Sequence, residues 1–139
     1  MSVSGIEAPM LELLEYARNL IDAVPVGLVT YDLSGQCISA NRAASRILGL
    51  TFEQLLSQNY RNIEGWTTSG LLETAEETIS TGRGRRIGTC LPTMGQRPTR
   101  LDCSFENFVS GGRRYLLYVV DDIRTRERRS RSGRGGDNG

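Results

Sequence analysis

Apolar residues at Met10, Leu13, Leu14, Ala17, Leu20 and Ile21 recur three and four positions apart, while Glu12, Glu15, Arg18 and Asp22 fall mostly elsewhere. That period predicts an amphipathic helix over Glu7–Val24, with Pro9 in its first turn and Pro25 at its end. Such a helix either folds back on its own sheet or pairs with a second copy. The pattern then changes to strand formers: Val26–Asp32, a Ser34-Gly35 turn, and Gln36–Ala40 predict a hairpin. Asn41 reads as the cap of a short helix closed by Gly49, and Thr51 with Gln54 forms a capping-box pair for a second.

Ser57–Ser69 is irregular and contains Trp66, the single tryptophan. Gly70–Thr81 predicts a helix burying Leu71, Leu72, Ala75 and Ile79, stopped by Gly82. Three strands follow, over Arg86–Thr93, Thr99–Val109 and Arg113–Val120, with Pro92 marking an edge or bulge, Met94–Pro98 a connection and Gly111-Gly112 a hairpin turn. In the second of these, Leu101, Cys103 and Phe105 alternate with Asp102, Ser104 and Glu106. Tyr115–Val120 is apolar on both faces, as expected of a central strand covered on both sides, and the N-terminal helix is the expected cover. The order predicts an α+β fold: a five-stranded antiparallel sheet with a helical cluster on one face and an N-terminal amphipathic helix. The expected divisions are 1–24 for that helix, 25–123 for the core domain and 124–139 for an arginine- and glycine-rich tail or linker.

Composition narrows the chemistry. The chain has no histidine, which excludes histidine triads, histidine metal ligands, a histidine-ligated haem and a phosphoacceptor histidine. All seventeen basic residues are arginine, so there is no Schiff-base or phosphate-loop lysine. Cys37, Cys90 and Cys103 have no metal-type spacing and read as small buried hydrophobes. The acids fall at caps, turns and strand faces rather than as a convergent pair, so no catalytic residue and no metal site is expected. No apolar run is long enough to span a bilayer and no secretory leader pattern is present, so a cytoplasmic location without membrane contact is expected.

Charge is unevenly spread. Residues 1–82 carry ten acids and four arginines, a net of −6; residues 83–139 carry six acids and thirteen arginines, a net of +7. That division suits a head-to-tail contact with a neighbouring module, or solvation of both faces. Arg124, Arg126, Arg128, Arg129, Arg131 and Arg134 form a basic run without interleaved aromatics, read as a solvated linker rather than a nucleic-acid contact.

Four stretches, in order, resemble the PAS family over roughly residues 20–128. Leu20 to Asp32, with Pro25-Val26-Gly27, is similar to its opening helix, Pro-x-Gly and first strand. Ser34 to Ala44 resembles its second strand and Asn-x-Ala-Ala helix start. Leu48 to Leu56 resembles its Gly-aromatic-Ser/Thr-x-Glu-Glu-Leu run, with Leu50 in the aromatic place, and Asp121-Asp122-Ile123-Arg124 resembles its Asp-Ile-Thr ending, with Arg124 for threonine.

The resemblance implies a pocket between the inner sheet face and the helices, dimerisation through the N-terminal helix, and output through the segment after the last strand. Candidate pocket residues are Tyr31, Trp66, Leu71, Ala75, Thr89, Cys103, Tyr115 and Leu117, with Trp66 as a lid; the same side chains could simply fill the core. Asp122 is the candidate for signal coupling, or a capping residue, and Met10, Leu13, Leu14, Ala17, Leu20 and Ile21 for the dimer interface. The family's flavin-photosensor branch carries an Asn-Cys pair where this chain has Gln58-Asn59-Tyr60-Arg61-Asn62, so a flavin-cysteinyl adduct is not expected. A flavin held without an adduct, or a cysteine-ligated haem, stays open. The expected function is a sensory signalling module, a homodimer that takes a small-molecule ligand and serves an output domain or partner protein of a two-component system, cyclase or transcription regulator. The alternative is a ligand-free dimerisation or docking domain.

Overall fold

The computed structural model of the chain describes residues 4–91 and 99–123. The far end of the third strand at Pro92 and Thr93, the connection over Met94–Pro98, the Cys90 thiol, Arg124 and the arginine-rich tail lie outside the described residues.

Helix α1 spans Ser4–Ala23. It begins three residues earlier than its apolar period, so Pro9 lies in the second turn rather than the first. Strands β1 (Gly27–Asp32) and β2 (Cys37–Ala40) form the hairpin, with a bulge between Thr30 and Tyr31. Its turn is held by the Asp32 carboxylate, which accepts from the Ser34 N–H at 2.9 Å and hydroxyl at 2.6 Å and from the Gln36 N–H at 3.1 Å. The Ser34 hydroxyl bond in particular keeps the Asp32 carboxyl below its ordinary range.

Helix α2 (Arg42–Leu48) is capped by Asn41, whose side chain accepts from Ala44, and closed by Gly49 in the left-handed conformation. Helix α3 (Phe52–Leu56) carries the full capping box: Gln54 donates its N–H to Thr51 Oγ1 at 3.1 Å and accepts the Thr51 N–H at 2.8 Å. The segment expected to be irregular holds a 3₁₀ turn, Tyr60–Asn62, and a four-residue helix α4, Trp66–Ser69. Helix α5 (Leu71–Thr81) buries Leu71, Ala75 and Thr78.

Strands β3 (Arg85–Leu91), β4 (Thr99–Ser110) and β5 (Arg113–Asp122) complete a sheet of order β2-β1-β5-β4-β3, antiparallel throughout. The Gly111-Gly112 turn sets the β4–β5 register, pairing Cys103 with Val120 and Phe105 with Tyr118. Residues directly opposite share a face, so Leu116, Tyr118 and Val120 join Leu101, Cys103, Phe105, Val29 and Tyr31 on the inner, buried face. The helices α2 to α5 pack over that side.

Helix α1 does not cover the sheet's other face, contrary to the expectation from sequence. It packs against α2, and Met10, Leu13, Leu14, Leu20 and Ile21 stay between 46% and 66% exposed. The outer face therefore keeps half-buried apolar side chains at Leu28, Leu117 and Val119 and an exposed one at Phe108.

Candidate functional site

The inner face is built around Trp66. Helix α4 brings this side chain into the core, where it is 3% exposed. Its ring centroid lies 5.9 Å from Tyr31, 5.7 Å from Tyr60, 5.7 Å from Phe105 and 5.1 Å from Tyr118. Tyr60 stacks on it at 30°, while the other three meet it edge-on at 66° to 77°. Phe105 and Tyr118 stack on each other at 5.1 Å.

Polar atoms at this cluster are few. The Tyr60 hydroxyl donates to Glu76 at 3.2 Å, and Glu76 also accepts from Arg61 at 2.9 Å. The Tyr118 hydroxyl lies 3.4 Å from the Cys103 thiol. Burial pushes the Cys37 and Cys103 thiols up to about 11 and the Tyr60 hydroxyl up to about 12, and raises the Tyr31 and Tyr118 hydroxyls in the same direction. All five groups are therefore neutral at physiological pH, and the two thiols are not in a nucleophilic state.

Among the eight pocket candidates, Tyr31, Trp66, Leu71, Ala75 and Cys103 are gathered in the buried core. Thr89 sits opposite Leu101 on β3, half-buried, its hydroxyl 3.4 Å from the Ser69 carbonyl. Tyr115 and Leu117 are misplaced: both point to the outer face, where Tyr115 stacks on Phe108 at 5.4 Å. The residues of β5 that do face the cluster are Leu116, Tyr118 and Val120. Tyr60, Phe105 and Tyr118 are inner-face aromatics that the sequence reading left out. Asp122 ends β5 opposite Leu101, half-buried.

Asn59, in the segment compared with the photosensor motif, is engaged in the turn instead, donating to the Ser34 carbonyl at 2.9 Å and accepting from the Arg61 N–H at 3.1 Å. A shallow polar depression of about 650 Å³ lies beside it, lined by Gln36, Ser57, Gln58, Asn59, Asn62, Ile63 and Glu64. Among the described residues no group of three or more cysteine, aspartate or glutamate side chains is placed to hold a metal ion, and no helix is long and apolar enough to cross a membrane.

One five-stranded antiparallel sheet with its aromatic inner face closed by a cluster of short helices defines the class of the chain as an α+β domain. The chain belongs to the PAS family: the family's model, described as PAS fold, matches residues 15–123. A comparison with curated proteins gave no match. The chain is similar in fold to a PAS domain from a two-component sensor histidine kinase (TM-score 0.67, 22% identity, covering 82% of this chain and 98% of that one). It is similar also to the PAS domain of an HTR-like protein from Haloarcula marismortui (0.67, 14%, 86% and 98%). A domain of a sensory box sensor histidine kinase/response regulator from Geobacter sulfurreducens gives 0.65 at 18% identity, covering 81% and 96%.

Proposed function

We propose that the chain is a non-catalytic sensory PAS module that dimerises through α1, takes a small molecule on the inner sheet face, and relays the change through Asp122 and the segment after β5. The observation that carries this reading is a pair of uncovered apolar surfaces: the α1 face at Met10, Leu13, Leu14, Leu20 and Ile21, and the outer stripe of Leu28, Val119, Leu117 and Phe108. Their lengths match, since a 20-residue helix is about 30 Å long and a ten-residue strand about 34 Å. Arg113, at the β4–β5 end of the outer stripe, offers a partner for the Glu12 and Glu15 carboxylates of α1. The occupant of the outer face is thus α1 of a second copy. A cytoplasmic place within a two-component or transcription-regulating assembly, upstream of an output domain, belongs to the same reading.

A ligand-free docking domain is the second reading, and the ring packing around Trp66 favours it, because those side chains already fill the inner face. Mass spectrometry of the purified chain under native conditions and after denaturing extraction, with a visible absorption scan, separates the two. A dimer that releases a small molecule supports the sensor; a colourless dimer that releases nothing shifts the assignment to docking. A monomer at high micromolar concentration overturns both.

A further inference from the structure

We infer that the Trp66 indole is a resident plug occupying a slot shaped for a neutral, planar aromatic ligand of about its own size, and that α4 is the element that moves to exchange one for the other. This rests on the reading of the inner face as a ligand site and specifies what that site takes.

The shape follows from the ring geometry. One wall, Tyr60, lies nearly parallel to the Trp66 ring, and three rims, Tyr31, Phe105 and Tyr118, present themselves at steep angles to it. A stacking wall with edge-on rims surrounds a flat object; a branched or globular one of equal volume loses the stacking and meets the edges badly. No residue buried among those described carries a formal charge, and the buried polar side chains are Asn41 and Thr78. A charged ligand would thus be stripped of water without a compensating partner, which selects a neutral one. Among the described residues the Tyr31 hydroxyl, 1% exposed, has no hydrogen-bond partner, and a heteroatom on the ligand's edge would supply it.

The movement follows from how α4 is held. Its four residues run between Gly65 and Gly70, at φ of 96° and 86°, and its N-terminal end has no side-chain cap. Both glycines can change backbone conformation without a Cβ to obstruct them. Outside its own turns α4 is tied to the sheet by the long Thr89–Ser69 hydrogen bond at 3.4 Å, so the Trp66 ring is its main anchor. Removing the ring from the slot and releasing the helix are one event. The ligand has to displace this packing, so its apparent affinity is lowered by the small fraction of molecules with the slot open.

Trp66 is the only tryptophan, so the full chain labelled with 5-fluorotryptophan gives one ¹⁹F resonance from the plug itself. Indole is the probe, and 1-adamantanol is the bulky non-planar control. Titration with indole should produce a second resonance close to that of solvent-exposed fluorotryptophan, growing with concentration, and adamantanol should not. A single unmoved resonance up to the solubility limit of indole, or an equal response to adamantanol, overturns the inference. Trp66→Ala tests the slot without the plug: its melting temperature should rise by several degrees with indole and not with adamantanol. A folded variant indifferent to indole counts against the slot; if the variant does not fold, the ¹⁹F titration of the parent chain decides. The parent reading fails separately. Extraction of a charged, non-planar molecule from the native protein would sustain the sensor and sink the planar slot. An apo protein whose ¹⁹F spectrum still answers indole would sustain the slot and remove the resident ligand.

Discussion

Asn41 and Leu28 hold each other reciprocally: the Leu28 N–H donates to Asn41 Oδ1 at 2.8 Å, and the Asn41 N–H donates to the Leu28 carbonyl at 2.9 Å. The same side chain accepts the Ala44 N–H at 3.0 Å and donates its two amide hydrogens to the Ile21 and Val26 carbonyls, at 2.9 and 3.0 Å. It is 1% exposed and fully satisfied. One residue therefore fixes the exit of α1, the start of β1 and the cap of α2 against one another.

Asn41→Ala should destabilise the domain by about 2–4 kcal/mol, since it orphans two donors and two acceptors at a buried joint. Urea denaturation would show it as a lower midpoint at unchanged slope. Hydrogen exchange should also quicken at Leu28 and Ala44, whose amides lose their acceptor. A variant with the parent midpoint would mean that water replaces the side chain.

The helix-capping part of this role was readable from Asn41-Arg42-Ala43-Ala44, because a cap is a local event. Its reach to Ile21 and Leu28 was not, because it depends on where the chain returns in space. The strand faces show the same division. Tyr115–Val120 is apolar throughout, so alternation could not say which half points inward, and Tyr115 and Leu117 were assigned to the wrong side. The missing step was in the sequence all the same. A two-residue turn at Gly111-Gly112 pairs Phe105 with Tyr118, and the alternation of β4 had already put Phe105 inside. Trp66 was out of reach by pattern, since a four-residue helix has too few positions to display a period. The α1 face was legible as apolar, but what covers it in one copy was not, because amphipathicity specifies a need for burial and not a partner.

Gly27→Ala should cost roughly 1–3 kcal/mol, the range for forcing extra volume into a packed site. An added Cβ would fall 2.6 Å from Val120 Cγ1 and 2.9 Å from Ala44 Cα. The second contact is with backbone, so a rotamer change cannot relieve it. Gly27 is the glycine of the Pro-x-Gly opening, and its missing side chain is what lets α2 sit on β1. Thermal melts of the variant check this; an unaltered melting temperature would show that α2 is not seated so closely.

Stability should fall on the alkaline side. Cys37 and Cys103 have folded values raised by burial from 9.0 to about 11, and Tyr60 from 10.0 to about 12, with Tyr31 and Tyr118 shifted the same way. The unfolded chain therefore loses these protons at lower pH than the folded one, and the slope of stability with pH is negative there. The contribution is complete below about pH 8 and disappears as pH rises through about 9 to 12. Melts at pH 7, 9, 10 and 11 should show a progressive drop beginning near pH 9. A melting temperature flat to pH 11 would require these groups to ionise in place, which their burial opposes. Tyr31→Phe should shrink the drop and leave neutral-pH stability equal or slightly higher, since the lost hydroxyl has no partner among the described residues.

Leu13→Glu and Leu20→Glu should each convert the proposed dimer to monomer without unfolding it. In one copy these side chains are 66% and 55% exposed, so a carboxylate there costs the isolated domain little. In a dimer each buried leucine contributes about 1.5–3 kcal/mol, enough to raise the dissociation constant roughly ten- to a hundredfold before the charge is counted. Sedimentation velocity across a concentration series reads the change directly. Leu117→Glu on β5 then distinguishes the two ways a second copy could cover α1. Docking of α1 on the outer sheet face requires this variant to dissociate as well, whereas helix pairing with helix leaves it dimeric. If the dimer survives Leu13→Glu and Leu20→Glu, the interface lies away from α1, and the exposed stripe on that helix awaits a different chain.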